Sequence, residues 1–500
     1  MNLTDRGKAY LGICLLAFVF SFFIVTLRLF PHFGMALSLL IFAVFSYKYK
    51  KVKDKDTKVY LIFTLLFPLF LFIRSEPLIT FINLIATLFF GFLMLLPKQK
   101  EGLAFADHIY APILFAIKSV FTTGDYHFEF KEKKKFSEVI KITSVILGIL
   151  ITILLLLVVL PILSSANPFF QRLVSDTLNF LSLESLLKHI GYENIFIWII
   201  RVLLFLFFIF IIPRVLTLIN KNNSYTLGSQ FQRNKLPLLI PKIVLTIILF
   251  IFFITQLQFY FADAETLNNL GLSYSQHSRE VFAQLSLVAG IVLLLVYNDS
   301  SKSSFSRILN WILGVQGIFL TLMAYKSVAE YINAWGLTYK RLYGLTFATW
   351  TTGIFVLFFN NYRQKNIAMV FVKNTIIFSG VMLLLVNVLN FDYLIYHLGK
   401  AETVQGTDYT YLSTLSSDSL SYKEQFMKLE EVAGQGEYSL EVYNNKNPKI
   451  ILYKIETLQK KYAKLDFRTL NVLDYLQYRQ VKSIDTGKLR EQYKNWLIGR

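Results

Sequence analysis

Long apolar segments recur along the first 390 residues and stop near Asn390, after which the chain becomes polar and rich in tyrosine. A bilayer core about 30 Å thick needs on the order of 20 apolar helical residues per crossing, and the segments approach or meet that length. The pattern predicts eleven membrane-spanning helices. Their predicted residues are 9–27, 33–47, 59–73, 78–96, 139–163, 195–216, 238–261, 281–297, 308–329, 342–359 and 369–389.

The fold class predicted by this pattern is all-α: a polytopic helical membrane protein with about 11 transmembrane helices and a small, mostly helical C-terminal soluble domain. Residues 1–390 would form the transmembrane domain and residues 391–500 the tail. A further apolar segment, 109–121, has only 13 residues and contains Pro112 and Lys118. We interpret it as an amphipathic helix lying on the membrane surface. The alternative is a twelfth crossing, which would invert every later loop.

Apolar residues in the tail recur at three- and four-residue steps, which is typical of helices. One predicted helix carries Ile451, Ile455, Leu458, Tyr462 and Leu465. A second, with Leu470, Leu473 and Leu476, is predicted to follow Asp466 as its N-cap, and a third lies near residues 489–496. Residues 437–443 (EYSLEVY) alternate between polar and apolar and predict a strand.

The net charge of +19 would suggest nucleic acid if it covered one folded face, but its location argues otherwise. The tail holds 16 Lys/Arg and 14 Asp/Glu, which leaves 35 against 18 before residue 391. The excess therefore belongs to the loops between helices. Cationic loops stay on the cytoplasmic side. An N-terminus inside the cell places 26 of the 35 cations on that side and 9 on the other, so the tail is predicted to be extracytoplasmic.

Ionisable residues near a predicted span are candidates for function because each is costly in hydrocarbon. The most concentrated group follows the seventh span and comprises Asp263, Glu265, His277, Arg279 and Glu280. These side chains could take up protons, bind a cation or hold an anionic lipid head group. The alternative is a solvated loop in which Arg279 pairs with a neighbouring carboxylate.

Three further residues are secondary candidates. Arg201 lies inside the sixth predicted span, and Lys326 and Glu330 stand four residues apart on one helix face. By contrast, Arg74 and Glu76 in the turn RSEP are expected to form an exposed pair. The lysines at cytoplasmic helix ends are expected to extend their ammonium groups to water; they are Lys141, Lys242 and Lys373.

Several signatures of catalysis do not occur in the sequence. It contains no GxxxxGK[ST], HExxH, CxxC or GxSxG motif, so nucleotide hydrolysis, zinc proteolysis and the commonest serine chemistry lack support. The single cysteine, Cys14, allows no intrachain disulfide. We therefore expect no cofactor and no metal, and the sequence favours a protein that is not an enzyme.

Four segments carry a family resemblance: GLSYSQHSREVFAQL (271–285), YINAWGLTYKRLYGLTFATW (331–350), NFDYLIYH (390–397) and DYTYLSTLSSDSL (408–420). Together they resemble a bacterial multi-pass membrane family catalogued as a domain of unknown function, number four-one-seven-three. The resemblance covers roughly residues 160–420. It implies a bacterial inner-membrane location and supplies no activity and no catalytic residues.

Two functional hypotheses follow. The first is a non-enzymatic protein, either transporter-like or an envelope scaffold or sensor whose tail binds an envelope protein or a lipid. Internal repetition of helix groups, which many transporters show, is not evident. The alternative is a membrane enzyme acting on a lipid-linked substrate, with Asp263 or Glu265 as base and Arg279 holding phosphate. Apart from the bilayer, no partner is specified, and nucleic acid is not expected because the tail charges balance.

Overall fold

The computed structural model describes residues 5–26, 30–50, 54–95, 192–220, 239–260, 288–293, 295–296, 304–361, 367–403, 406–433 and 448–491. The predicted surface helix 109–121, the predicted span 139–163, the predicted strand 437–443 and Lys141 lie outside these ranges. Of the predicted span 281–297, residues 288–293 and 295–296 are described and helical.

Nine described helices coincide with predicted spans. They are α1 (Asp5–Ile24), α2 (His32–Tyr49), α3 (Lys55–Ile73), α4 (Pro77–Leu95), α5 (Tyr192–Asn220), α6 (Leu239–Tyr260), α7 (Ser304–Trp335), α8 (Tyr339–Asn361) and α9 (Ile367–Leu389). Among the described residues, α3, α4, α5, α7, α8 and α9 each contain a stretch long and apolar enough to cross a membrane. Shorter apolar stretches lie in α1, α2 and α6. The chain is therefore a polytopic helical membrane protein, as the apolar pattern predicts.

The described tail is also mostly helical. It comprises α10 (Phe391–His397), a short antiparallel pair of β1 (Glu402–Thr403) and β2 (Gly406–Thr407), α11 (Tyr409–Thr414), a 3₁₀ turn (Ser417–Ser419), α12 (Tyr422–Ala433), α13 (Pro448–Ala463), a second 3₁₀ turn (Phe467–Thr469) and α14 (Val472–Val481).

The predicted N-cap of the second tail helix is wrong. The second 3₁₀ turn follows Asp466, and α14 begins only at Val472. Its N-cap is Asn471, whose side-chain oxygen accepts a hydrogen bond from the Asp474 N–H at 3.1 Å. An amide at this position satisfies one of the free N–H groups at the start of the helix.

The helices form two compact units. The first contains α1, α2, α5 and the second 3₁₀ turn. Rings interlock between its helices, with Phe20 of α1 and Phe208 of α5 5.3 Å apart between centroids. Arg468 donates hydrogen bonds to the Phe22 and Val25 carbonyl oxygens at 2.9 and 3.0 Å. These bonds satisfy backbone acceptors at the end of α1 that the helix itself leaves free.

The second unit contains α3, α4, α6 to α9 and the remaining tail elements. Glycines on three of its helices receive phenylalanine rings from a neighbouring helix. A methyl group at Gly314 of α7 would lie 2.6 Å from the Phe359 ring of α8, and one at Gly380 of α9 would lie 2.7 Å from Phe90 of α4. Such contacts let the helix backbones approach closely, which is how helices associate in lipid.

Within this unit α3 and α9 run in the same direction. Lys373 near the start of α9 forms an ion pair with Asp56 near the start of α3. At the opposite end, Arg74 after α3 donates to the Asn387 carbonyl oxygen near the end of α9 at 2.6 Å. The turn between α7 and α8 lies at the same end, because Tyr339 donates to Asp392. We call the α3–α4 turn, the end of α9 and the α7–α8 turn together the docking face. The tail contacts this face.

Candidate functional site

A fully buried arginine is the centre of the docking face. Arg74 is 2% exposed, and its Nε donates to Asp418 Oδ2 at 2.6 Å while its Nη2 lies 3.8 Å from Asp392 Oδ2. Both carboxylates have no exposed side-chain surface. We call Arg74, Asp392 and Asp418 the Arg74 cluster. A charge can be buried only when it is paired and hydrogen-bonded, and here the pairing joins a membrane helix to the tail.

The α3–α4 turn presents Arg74 because α3 ends at Ile73 and α4 begins only four residues later, at Pro77. The Arg74 N–H still donates to Phe70 O at 2.9 Å, and Pro77 starts α4, where its missing N–H and fixed φ are tolerated. Glu76 then acts as a cap, since its Oε2 accepts from the Ile79 N–H at 2.6 Å. The two helices therefore reverse direction with Arg74 between them.

Asp418 covers the start of α4. It accepts hydrogen bonds from the Ser75 N–H at 2.7 Å, the Ser75 hydroxyl at 2.6 Å and the Glu76 N–H at 3.3 Å. A carboxylate is stabilised at a helix N-terminus, where free N–H groups and the helix dipole are positive. The same aspartate thus neutralises Arg74 and fixes the two residues that precede α4.

Asp392 is positioned by a left-handed residue at the start of α10. Asn390 has φ of 45°, and its side-chain oxygen accepts from the Tyr393 N–H at 3.3 Å while its Nδ2 donates to the Asp418 carbonyl oxygen at 2.9 Å. Asparagine tolerates this backbone conformation better than most residues. Asn390 therefore turns the chain from α9 into the tail and joins the two acidic segments.

The two oxygens of Asp392 have different surroundings. Oδ1 accepts from the Ser416 N–H at 2.8 Å and from the Tyr339 hydroxyl. Oδ2 accepts no hydrogen bond from the described residues. Burial raises the pKa of Asp392, and nearby Asp418 raises it further, while Tyr339, Ser416 and Arg74 act in the opposite direction. The net effect is a pKa above the ordinary value for aspartate.

Two other buried titratable groups border the cluster. Burial raises the pKa of Glu76. In the tail, burial lowers the pKa of Lys454 to about 8, and its ammonium donates to the Ser413 and Leu415 carbonyl oxygens at 2.7 Å each. Lys454 therefore holds the segment that leads into the turn carrying Asp418.

Further polar contacts tie α14 and the membrane helices to the cluster. Asn471 Nδ2 donates to the Arg74 carbonyl oxygen at 2.7 Å, and Asp474 accepts from the Ser417 hydroxyl. Below Arg74, the side chains of Asn83 on α4 and Asn387 on α9 exchange two hydrogen bonds of 2.8 Å. Each buried amide therefore satisfies the other inside the helix bundle.

The five primary candidates, Asp263, Glu265, His277, Arg279 and Glu280, lie outside the described residues. Of the secondary candidates, Arg201 belongs to the first unit. It donates to the Val25 carbonyl oxygen at 3.3 Å, and its guanidinium carbon lies 5.1 and 4.9 Å from the Phe22 and Trp198 ring centroids. These contacts hold the arginine against the end of α1.

Lys326 and Glu330 form the ion pair that their spacing predicts, with 3.5 Å between Nζ and Oε1. The lysine side chain is half exposed. No contact between this pair and the Arg74 cluster occurs among the described residues. The pair therefore has the geometry of a surface salt bridge, which contributes little to stability.

Two predictions about charged residues are wrong. Arg74 and Glu76 do not form an exposed pair: both are buried, and Arg74 binds tail residues instead. Lys242 does not reach water, since it is fully buried and donates to the Ser306 hydroxyl at 3.2 Å. The third residue of this kind, Lys373, is partly exposed and pairs with Asp56.

Sequence reasoning missed the Arg74 cluster, although a signal for it existed. Asp392 and Asp418 lie in NFDYLIYH and DYTYLSTLSSDSL, two of the segments that carry the family resemblance. The arginine of RSEP was a further signal. Because the turn has only three residues, Arg74 must lie close to the helix ends. In the described parts of the chain, no group of three or more His, Cys, Asp or Glu residues suits a metal ion.

Comparison with known proteins identifies a family. A family model described as "Domain of unknown function (DUF4153)" matches residues 61–425, a range that includes all of the Arg74 cluster. The number four-one-seven-three is therefore wrong, and the match begins earlier than the resemblance indicated, within α3. No curated protein and no solved structure matches the chain. Because the match spans more than half of its residues, the chain belongs to the DUF4153 family, which is defined by a domain of unknown function.

Proposed function

We propose that the protein is a non-enzymatic membrane scaffold or sensor that holds its tail against one end of its membrane helices. The observation that carries this proposal is the burial of the Arg74 cluster, in which Arg74 pairs with two carboxylates of the tail and with the Asn387 carbonyl oxygen. A catalytic group must reach a substrate, whereas Arg74 is 2% exposed and both of its carboxylates are fully buried. Such a cluster serves to fix the tail.

A scaffold is favoured over a transporter by the continuity of the described helices. Transporter sites are commonly built where spanning helices break near the bilayer midplane. Here α7, α8 and α9 each continue without interruption over 32, 23 and 23 residues. Two pairs of polar side chains join these helices: Thr352 donates to Thr321 at 2.9 Å, and Trp350 donates to Ser379 at 2.8 Å.

The proposed orientation has the N-terminus in the cytoplasm of a bacterial cell and the tail outside its plasma membrane. Support comes from the 26 to 9 distribution of cations that this orientation produces. The parallel course of α3 and α9 agrees with eleven crossings. In that case α3 is the third span and α9 the last, an odd number of spans lies between them, and the two helices must run in the same direction. The tail would thus be available to an envelope protein or a lipid on the outer side.

Single-cysteine labelling tests the orientation, because Cys14 is the only native cysteine. Two positions are each replaced by cysteine in a Cys14→Ser background. Tyr453 lies on the tail and is 66% exposed, and Lys55 lies at the start of α3, away from the docking face. A membrane-impermeant maleimide should label Tyr453→Cys in intact cells and Lys55→Cys only after permeabilisation. The reverse result would contradict the proposed orientation.

Complementation of a deletion strain separates scaffold from enzyme. A scaffold should lose complementation with Arg74→Ala, which releases the tail, and keep it with Asp263→Asn. An enzyme that uses the predicted loop base should lose it with Asp263→Asn at normal membrane abundance. Immunoblotting of membrane fractions provides the abundance control. Loss of complementation by Asp263→Asn alone would contradict the scaffold.

A further inference from the structure

Asp392 has titratable groups around it on several elements of the docking face and the tail. Electrostatic contacts reach it from the α3–α4 turn, the turn after α11, and helices α8, α11, α12 and α13. The groups are Arg74, Glu76, Asp418, Tyr339, Tyr343, Tyr411, Tyr422 and Lys454. A charge on Asp392 therefore interacts electrostatically with all of these groups.

The formal charges of these groups do not balance. Three carboxylates, those of Glu76, Asp392 and Asp418, are matched by two cations, Arg74 and Lys454. An unmatched charge is expensive in a buried site, and the usual response is a change of protonation. One proton bound by one of the three carboxylates would make the group neutral.

Hydrogen bonds indicate which carboxylate takes the proton. Asp418 accepts from Arg74 and from three further donors, so each of its oxygens is occupied. Glu76 accepts the Ile79 N–H at the start of α4, where negative charge is favoured. Asp392 Oδ2 has the Arg74 guanidinium at 3.8 Å and accepts no hydrogen bond from described residues.

A second buried polar group near Asp392 gives its charge no hydrogen bond. The Tyr343 hydroxyl is buried, has an electrostatic contact with Asp392 and forms no hydrogen bond within the described part of the chain. Its ring lies 5.2 Å from that of Phe391, the residue before Asp392. The hydroxyl therefore does not offset a negative charge on Asp392, which favours the neutral, protonated carboxyl group.

We propose that Asp392 is a proton-binding site: Oδ2 carries one proton while the tail is docked and releases it to water when the tail leaves the docking face. Docking of the tail would then depend on the pH of the compartment that the tail faces. This inference goes beyond the scaffold role and does not rest on it, because an enzyme or a transporter with the same docked tail would bind the same proton.

The sign of the pH dependence follows from the direction of the pKa shift. Burial raises the pKa of Asp392 in the docked state, whereas the undocked carboxyl has its ordinary value. Between these two values the docked state binds more protons, so docking is strongest at low pH and weakens as pH rises toward the docked-state pKa. One linked proton changes the docking equilibrium by about tenfold per pH unit.

Thiol labelling of a buried tail position measures the docking equilibrium. Ala401→Cys, buried at the native residue, reacts only when the tail opens, whereas Tyr453→Cys is always accessible. The ratio of the two maleimide rates, in purified full-length protein lacking Cys14, cancels the titration of the thiol itself. Measurements run from the ordinary carboxyl range up to about pH 7, below the Lys454 pKa of about 8, so that Lys454 stays mostly charged.

Three variants make the outcome specific. With the native cluster, the ratio should rise by up to about tenfold per pH unit, and Asp392→Asn should remove this slope while keeping the low ratio of acid pH. Glu76→Gln should preserve the slope, and Asp418→Asn should raise the ratio at all pH values because Arg74 loses its 2.6 Å partner. A flat profile for the native cluster, or an unchanged slope in Asp392→Asn, would overturn the proposal.

Infrared spectroscopy gives a second test that does not require Asp392→Asn to fold. At a pH just above the ordinary carboxyl range, the native protein should show the C=O stretch of a protonated, buried carboxylic acid, and this band should persist in Glu76→Gln. If the band is missing from the native protein, or if it disappears in Glu76→Gln, the proton is not on Asp392. Neither test depends on complementation, so the scaffold proposal can fail separately.

Discussion

Removal of the Arg74 side chain should release the tail from the docking face. Arg74→Ala deletes charge-assisted hydrogen bonds of 2.6 Å to Asp418 and 2.6 Å to the Asn387 carbonyl oxygen, and it leaves the fully buried carboxylate of Asp418 without its guanidinium. Breaking a buried ion pair by removal of one partner typically costs about 3–5 kcal/mol. We expect a loss of that size in the free energy of tail docking.

The expected loss of docking free energy converts directly into a change in the maleimide labelling rate. A change of about 1.4 kcal/mol is tenfold in an equilibrium constant, so Arg74→Ala should raise the labelling of Ala401→Cys relative to Tyr453→Cys by roughly two to four orders of magnitude. The matched control is Arg307→Ala on α7, an exposed arginine whose side chain donates to Ser304 at 3.3 Å. That change should alter the ratio by less than about twofold.

A double variant tests whether the pair acts as a unit. Combining Arg74→Ala with Asp418→Asn should cost clearly less than the sum of the two single changes, because the second substitution removes a charge that the first left unpaired. The reasoning would be refuted by a labelling ratio for Arg74→Ala that is indistinguishable from that of Arg307→Ala. Strict additivity in the double variant would likewise show that the two side chains do not interact.

Three other changes are expected to affect stability in proportion to their contacts. Gly380→Ala should lower thermal stability in detergent by about 1–3 kcal/mol, because the new methyl group would lie 2.7 Å from a ring, whereas Gly12→Ala, with no atom within 4 Å, should be neutral. Asn471→Ala should cost about 1–3 kcal/mol in the labelling assay, since it removes a helix cap and a buried hydrogen bond. Lys326→Ala should cost less than about 1 kcal/mol in thermal unfolding, because its partner Glu330 is also partly exposed.

Hydrophobicity predicts the spans well because the bilayer imposes one simple requirement on every crossing. The ends are less accurate, as α7 shows: the apolar stretch 308–329 becomes a helix from Ser304 to Trp335. Polar and aromatic residues extend a helix beyond the hydrocarbon, where water and head groups satisfy them. Apolarity alone therefore locates the centre of a span better than its ends.

The Arg74 cluster could not be predicted in the same way because its contacts are remote in sequence. Asp418 lies 344 residues from Arg74, and Asn387 lies 313 residues away. Spacing rules relate residues within a few helical turns, so they found the pair Lys326 and Glu330 and gave Arg74 an exposed neighbour instead. Burial of a charge depends on the tertiary fold, which local patterns do not contain.

The most direct test of the docked tail is a disulfide trap between the α3–α4 turn and the turn carrying Asp418. The hydroxyl oxygens of Ser75 and Ser417 lie 3.2 Å apart, which is close enough for cysteines at both positions to join without a large backbone movement. In a Cys14→Ser background, Ser75→Cys with Ser417→Cys should form a disulfide in the membrane under mild oxidation, while Ser75→Cys with Tyr453→Cys should not. Equal reactivity of the two pairs, or no cross-link in the first, would contradict the docking of the tail on these helix ends.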